Sequence, residues 1–144
     1  MTIEEKRNYL KRYKAARDAA EDIRLRQEEL RSLYACPKPI RYSDMPKGHD
    51  TEHDLSDFMA KWDELQHDLW DRQQECIQLM REISVAVDRL KDGNEKRVLM
   101  LRYIDCLKWE EIEERTHYSR TRLHGIHSSA LCHFRPLPQK REQK

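Results

Sequence analysis

Residues 94–135 read NEKRVLMLRYIDCLKWEEIEERTHYSRTRLHGIHSSALCHFR, and they are the part of the chain most informative about its structure. Its apolar residues recur at steps of three and four, the spacing of one helix face, in three short segments. The segments contain Val98, Leu99, Leu101 and Ile104; then Trp109 and Ile112; then Leu123, Ile126, Ala130, Leu131 and Phe134. Only His117-Tyr118-Ser119 lies between the last two segments, and serine is a residue that caps helices by accepting a backbone N–H bond. The pattern predicts a helix-turn-helix unit over residues 93–135.

The last of these helices is predicted to carry a surface that reads DNA. In a helix-turn-helix unit the final helix enters the major groove, and residues near its N-terminus meet base edges. With Leu123 and its apolar partners facing inward, the exposed positions there are Arg120, Thr121, Arg122 and His124. Arginine can bridge O6 and N7 of guanine, and threonine can contact the thymine methyl group or a phosphate.

Residues around the turn are predicted to contact the phosphate backbone, which positions a protein on DNA without reading its sequence. Lys108 precedes the second helix and Tyr118 lies in the turn, so both are candidate phosphate contacts. Ser119 can serve as a helix cap and as a phosphate contact. The second helix carries four glutamates, Glu110, Glu111, Glu113 and Glu114. Because these carboxylates would repel DNA, we expect most of that face to point away from the duplex.

The same stretch resembles the fourth region of bacterial sigma factors. The parts that carry the resemblance are Leu101-Arg102-Tyr103, Leu107-Lys108-Trp109-Glu110-Glu111-Ile112 and Ala130-Leu131…Phe134-Arg135. The likeness covers about 42 of the 144 residues and implies a helix-turn-helix fold with promoter DNA as the partner. It places Arg120, Thr121, His124 and Gly125 where sigma factors read promoters. The chain departs from the family at two of these positions, because His124 replaces a common arginine and Gly125 a common glutamine.

Composition limits the size of the core. Hydrophobic residues and charged residues each make up 38% of the chain, and there are only 3 glycines and 5 prolines. This mixture suits long exposed helices with a narrow apolar stripe. The net charge of +1 is unevenly distributed: residues 1–50 carry +3, residues 51–93 carry −6 and residues 94–144 carry +4. A charge of +4 is a modest electrostatic footprint for a domain that binds nucleic acid.

Two long helices are predicted ahead of the helix-turn-helix unit. Residues 1–34 contain neither Gly nor Pro and form the first helix. Its heptad seam consists of Tyr9, Tyr13, Ala16, Ala20, Ile23, Gln27, Leu30 and Tyr34. The proline-containing loop at 35–50 would fold it back on the helix at 51–92 as a long antiparallel, coiled-coil-like hairpin. A basic helix would then lie beside an acidic one.

The second helix, over residues 51–92, is amphipathic, with a seam that runs from Leu55 to Leu90. Its apolar stripe is wider than one seam requires, which predicts a homodimer through this helix. We expect the helix to end at Asp92-Gly93-Asn94, with Gly93 available for a left-handed backbone position. Residues 136–144 are predicted to be a disordered basic tail, because two prolines end the last helix.

The loop at 35–50 carries a second resemblance through Ser43-Asp44-Met45-Pro46-Lys47-Gly48. With the leading helix, the acidic second helix and the sigma-like unit, this motif makes the chain similar to ArpU-like phage and prophage transcription regulators. The resemblance implies an activator of phage late genes that works with the RNA polymerase of the bacterial host. A lone fourth region lacks the parts that open promoter DNA in full sigma factors, so it implies an accessory role.

No enzyme is predicted, since the chain has no P-loop, nucleophile elbow or zinc-protease motif, and a narrow hairpin offers little space for a substrate. His124, His127, Cys132 and His133 lack the spacing of a zinc site, so we expect neither metal nor other cofactor. The chain opens with charged residues and has no apolar run of about 18 residues, which predicts a cytoplasmic protein without membrane contact.

Two other functions fit the same pattern. Terminase small subunits, which take part in phage DNA packaging, also combine helix-turn-helix units with helical oligomerisation segments, and a ring of many copies would favour this alternative. A protein-interaction module that imitates a sigma factor would fit the modest charge together with His124 and Gly125. Binding to polymerase without binding to DNA would favour that second alternative.

Overall fold

The computed structural model describes residues 1–35 and 50–139, and within these ranges every regular element is helical. The elements are α1 (Ile3–Ala35), α2 (Asp50–Asp88), α3 (Gly93–Leu99), a π-helical turn (Met100–Ile104), α4 (Trp109–Thr116) and α5 (Arg120–His133). The predicted all-α class is confirmed. The Ser43–Gly48 motif and residues 140–144 of the predicted tail lie outside the described residues. No helix in the described ranges combines the length and the apolar character needed to cross a membrane.

These helices contribute to two compact units. One unit consists of residues 17–74 and contains the later part of α1 and the earlier part of α2. The other unit joins residues 1–16 to the residues from 75 onward. The beginning of α1 and the end of α2 therefore belong to the same unit as α3, α4 and α5.

Within residues 17–74, α1 and α2 lie side by side in opposite directions. Gln27 Nε2 donates to Gln66 Oε1 at 2.9 Å, and the rings of Tyr34 and Phe58 lie 4.7 Å apart. As the contact advances along α1 from Gln27 to Tyr34, it moves back along α2 from Gln66 to Phe58, which is the antiparallel arrangement. Gln27 is buried in the seam, and its amide is satisfied by the amide of α2.

Part of the predicted apolar stripe stays exposed in this unit. Leu55, Met59 and Trp70 are large apolar side chains of α2 with 60%, 49% and 59% of their surface accessible. Their spacing is about one turn and then about three turns, so the three side chains lie on the same face of the helix. Within the described residues, α1 therefore covers one side of the stripe and leaves this face open.

The unit that contains α5 has a first core cluster built from four segments of the chain. Its buried members are Tyr9, Leu10, Ile83, Ala86, Val87, Leu90, Leu99, Tyr103, Ala130, Leu131 and Phe134. Phe134 is fully buried, as its helical spacing predicts, and its ring centre lies 5.8 Å from that of Tyr9. Lys6 Nζ donates to the carbonyl oxygens of Leu131 and Cys132 at 2.8 and 3.0 Å. These bonds satisfy carbonyls that a helix end leaves unpaired, so the beginning of α1 fixes the end of α5.

The connection from α2 to α3 differs from the prediction. α2 ends at Asp88, and Gly93 begins α3 with an ordinary negative φ, so the left-handed position expected for Gly93 is wrong. Asp92 instead caps the start of α3, because its Oδ1 accepts hydrogen bonds from the backbone N–H groups of Asn94 and Glu95 at 2.7 and 3.4 Å. Aspartate is among the best helix N-caps, and a capped start makes a left-handed glycine unnecessary.

A second core cluster holds α3, α4 and α5 together. Its buried members are Val98, Leu101, Ile112 and Leu123, and Leu107, Trp109, Tyr118 and Ile126 pack against them. The chain reaches α4 through the π-helical turn, where the Asp105 N–H donates to the Met100 carbonyl at 3.0 Å. The Leu107 N–H then donates to the Leu101 carbonyl at 3.0 Å, which brings the start of α4 onto this cluster.

Candidate nucleic-acid interface

A three-residue turn joins α4 to α5. His117 adopts a left-handed backbone with φ 58°, and its N–H donates to the Glu113 carbonyl at 2.9 Å, which closes α4. Tyr118 and Ser119 complete the turn, and Ser119 Oγ accepts the Arg122 N–H at 3.3 Å. The predicted turn at residues 117–119 and the predicted cap by Ser119 are therefore confirmed.

The faces of α5 also follow the prediction. Leu123, Ala130 and Leu131 are buried, and Ile126 is half-buried against the second core cluster. The five residues predicted for the outer face are exposed; they are Arg120, Thr121, Arg122, His124 and Gly125. Apart from its chain neighbours and the backbone of its own helix, no atom of the described residues lies within 4 Å of the point where a Cβ at Gly125 would stand. Packing therefore gives no reason for a glycine at this position.

Arg120 does not extend freely into solvent. Its Nη2 donates to Glu110 Oε1 at 2.7 Å and its Nε donates to Glu113 Oε1 at 3.2 Å. The Glu110 hydrogen bond is the main cause that raises the pKa of the Arg120 guanidinium. The backbone N–H at Glu110 and the bond from Arg120 lower the pKa of the Glu110 carboxyl. These two glutamates were expected to point away from the DNA-reading surface, and that expectation is wrong for them, since both lie beside Arg120.

Arg122 is held on the other side of the same turn. Its guanidinium carbon lies 4.1 Å from the centre of the Tyr118 ring, a cation–π contact. Tyr118 Oη donates to Asn94 Oδ1 at 3.4 Å, and the ring packs against the second core cluster. Tyr118 therefore links the start of α3 to the start of α5 and restricts where Arg122 can point.

An aromatic group lies between α4 and the outer face of α5. The Trp109 ring centre lies 4.7 Å from that of His124 and 5.1 Å from that of His127. The guanidinium carbon of Arg102 lies 4.9 Å from the centre of the Trp109 ring, and Arg102 Nη1 donates to the Leu107 carbonyl at 2.9 Å. His124 is thus exposed but rests on a half-buried tryptophan, which orients its imidazole along the outer face of α5.

His127 belongs to the interior, a position not predicted from the sequence. It is 6% exposed, and its Nε2 lies 2.9 Å from Tyr103 Oη. Burial lowers the pKa of the imidazole to about 4, with further lowering by Arg7, Arg102 and His124. The spacing of His127 could have indicated its burial, because residue 127 lies one helical turn after Leu123 and one turn before Leu131.

A second polar link, also missed, joins α3 to the later turns of α5. Glu95 is 5% exposed and accepts a 2.6 Å hydrogen bond from Ser129 Oγ. His133 Nδ1 lies 3.0 Å from Glu95 Oε1 and 3.1 Å from Oε2. Charge alone suggested an exposed glutamate, but its carboxylate is satisfied from α5, which makes burial possible. α5 is therefore held near its start by Tyr118, in its middle by the contact of His127 with Tyr103, and in its later turns by Glu95.

The surface around the start of α5 offers groups that can meet an anion and a base edge together. Lys108 is exposed at the start of α4, where its N–H donates to Glu111 Oε2 at 2.7 Å. Thr121 is exposed in the first turn of α5, beside the arginines already described. The N-terminal end of a helix also carries partial positive charge, which favours a nearby phosphate.

No protein-family model matches the chain, and neither a curated protein nor a solved structure matches it.

Proposed function

We propose that this protein is a sequence-specific DNA-binding transcription regulator that inserts α5 into the major groove. The observation that carries the proposal is the geometry of residues 109–133. A short α4, a three-residue turn and a Ser119-capped α5 present an exposed, partly basic N-terminal face on a fully packed support. An exposed helix start behind a short helix and a tight turn is what a helix-turn-helix unit uses to read bases, and this likeness supports the proposal.

Each exposed residue has a defined part in this proposal. Arg120 and Arg122 donate to guanine edges, and Thr121 contacts a thymine methyl group or a phosphate. Lys108 and Tyr118 contact the phosphate backbone, with Ser119 as a further contact at the turn. Gly125 lets a base edge or the sugar–phosphate backbone approach α5 closely, since no neighbouring atom fills the space above it.

The wider role rests on the sequence resemblances. We propose an ArpU-like phage regulator that activates late genes in the cytoplasm of the bacterial host, beside host RNA polymerase. Its fourth-region-like unit would follow, along the chain, a helical hairpin formed by α1 and α2. We further propose a homodimer through α2, supported by the exposed apolar face at Leu55, Met59 and Trp70. Light scattering tests this point: a dimer supports it, a monomer opposes it, and a ring of many copies favours the packaging alternative.

One observation favours a second candidate function. Two carboxylates offset the charge of Arg120, which weakens the attraction of this surface for DNA and suits a polar protein partner instead. A module that imitates a sigma factor would bind RNA polymerase through the same surface without a duplex.

Fluorescence anisotropy against a random-sequence duplex pool, titrated with salt, tests the proposed function. Wild type is compared with Arg120→Ala/Arg122→Ala and with Arg26→Ala/Arg31→Ala, a control that removes two exposed arginines from α1. We expect binding that falls steeply with salt and is weakened only by the α5 pair. Absence of duplex binding at low salt would contradict the proposal, and polymerase binding under those conditions would support the second candidate.

A further inference from the structure

The Arg120–Glu110–Glu113 cluster is an unusual environment for a residue proposed to contact DNA. Glu110 and Glu113 lie one turn apart on α4, and both face the first residue of α5. The side chain of Arg120 is 48% exposed, so a duplex can reach it. A guanidinium has five N–H donors, and the glutamates use one on Nη2 and one on Nε. Two donors on Nη1 and one on Nη2 are left for an outside acceptor.

The two possible acceptors on DNA differ in charge. A phosphate is an anion, and contact with Arg120 would bring it close to two carboxylates, which repel it. O6 and N7 of guanine are neutral acceptors that can take the remaining N–H bonds without adding a charge beside the glutamates. The cluster therefore disfavours a phosphate contact much more than a guanine contact.

We propose that Glu110 and Glu113 are specificity-determining residues, which suppress nonspecific binding by excluding phosphate from Arg120 while leaving it able to read guanine. The proposal rests on the proposed function, since it assigns a role within the same DNA-binding surface. Because the glutamates already neutralise Arg120, it releases few counterions on nonspecific DNA and contributes little to the salt dependence of that binding. Exposed ion pairs add little to stability, so fold maintenance alone is a weak explanation for two of them on one arginine.

The test compares Glu110→Gln/Glu113→Gln with wild type on two probes. One probe is a random-sequence duplex, and the other is a duplex selected from the random pool by the wild-type protein. For the random duplex we expect affinity to rise about three- to tenfold, the scale set by two exposed ion pairs. We also expect the slope of log affinity against log salt to steepen by about one, because Arg120 now neutralises a phosphate. Affinity for the selected duplex should rise less, so the selected-to-random ratio falls.

Two controls separate this effect from a general loss of negative charge. Asp105→Asn/Glu114→Gln removes two exposed acidic groups of the described region that do not contact Arg120, and it should change both probes equally. Arg120→Ala placed on Glu110→Gln/Glu113→Gln should abolish the gain on random DNA. If the double variant unfolds, the single variant Glu110→Gln takes its place. It keeps Glu113, so the selected-to-random affinity ratio should fall by a smaller factor.

The possible failures are distinguishable. If Glu110→Gln/Glu113→Gln and the Asp105/Glu114 control give the same ratio and salt slope, the glutamates do not set specificity, while the proposed function stands. If wild type binds neither probe at low salt, the proposed function is wrong, and the specificity role of Glu110 and Glu113 is then wrong as well.

Discussion

His127 should make the fold less stable as the pH falls from about 6.5 towards about 4. The pKa of its imidazole is lowered from 6.5 to about 4 in the folded protein, chiefly by burial. In the unfolded chain the same group takes up a proton near pH 6.5. Between these two values the unfolded state binds more protons than the folded state, so acidification favours unfolding. Above pH 6.5 the imidazole is neutral in both states and contributes no pH dependence.

The size of the effect follows from the shift. One pKa unit corresponds to about 1.4 kcal/mol, so the whole window accounts for up to about 3 kcal/mol of lost stability. Near pH 5 the two states differ by almost one proton at this site, which gives a slope slightly above about 1 kcal/mol per pH unit. A glutamine at position 127 cannot titrate but can still bond to Tyr103 Oη, so His127→Gln should flatten this part of the curve.

Urea unfolding followed by circular dichroism between pH 4.5 and pH 7.5 measures the slope. The quantity of interest is the difference between wild type and His127→Gln, because carboxyl groups also titrate at the acidic end. His67→Gln, at an exposed position of α2, is the matched control for replacing a histidine with glutamine. Parallel curves for wild type and His127→Gln across this window would refute the argument that burial keeps His127 neutral.

Three further substitutions test the structure around α5 by urea unfolding. Ser119→Ala should cost about 1 kcal/mol through the lost cap and Ser119→Asp much less; equal losses would show that the cap bond to Arg122 is unimportant. Phe134→Ala should cost about 3–5 kcal/mol because the ring is fully buried, whereas Leu33→Ala at an exposed position of α1 should cost less than about 0.5 kcal/mol, and similar costs would contradict the placement of Phe134 in the core. Lys6→Met should cost about 1–2 kcal/mol and accelerate amide hydrogen exchange at the end of α5, and unchanged exchange would argue against the Lys6 cap.

The apolar pattern was enough to predict the faces of the helices. Spacing at three and four residues correctly predicted that Leu123 and Ala130 of α5, and Phe134 at its C-cap, are buried, and the residue type of Ser119 correctly predicted the N-cap. Both signals are local, since burial of a helix face and capping of a helix end depend on residues within about one turn. The all-helical class followed from the same local information.

The polar contacts could not be predicted in this way, because their partners lie far apart in sequence. His127 is buried only because Tyr103 meets its imidazole, and Glu95 only because Ser129 and His133 meet its carboxylate. Glu95 taken alone reads as an exposed polar group, and the spacing of His127 indicates an inner face of α5 but not its partner. Their pairing depends on how α3 and α5 cross, which periodicity does not specify.

The arrangement at Arg120 was missed for a related reason. The acidic face of α4 and the basic start of α5 were each recognised, but the glutamates were assigned an orientation from what DNA would tolerate. The turn at His117 instead brings both charges together, so that Arg120 pairs with Glu110 and Glu113. The Ser43–Gly48 motif, which supports the ArpU-like resemblance, lies outside the described residues.

The contact between Lys6 and the end of α5 spans 125 residues of sequence, and this separation has a consequence for synthesis on the ribosome. At about 5–20 residues per second, the beginning of α1 would wait roughly ten seconds before its partners at 130–134 are translated. During that interval Tyr9 and Leu10 lack the α5 part of their core, and they are candidates for transient binding by a chaperone. A fragment limited to residues 93–135 would meet the converse difficulty, because Leu131 and Phe134 would lack the α1 surface that covers them. The unit that contains α5 is therefore discontinuous in sequence, and the end of α5 gains its contact with Lys6 only after residues 131 and 132 have been synthesised.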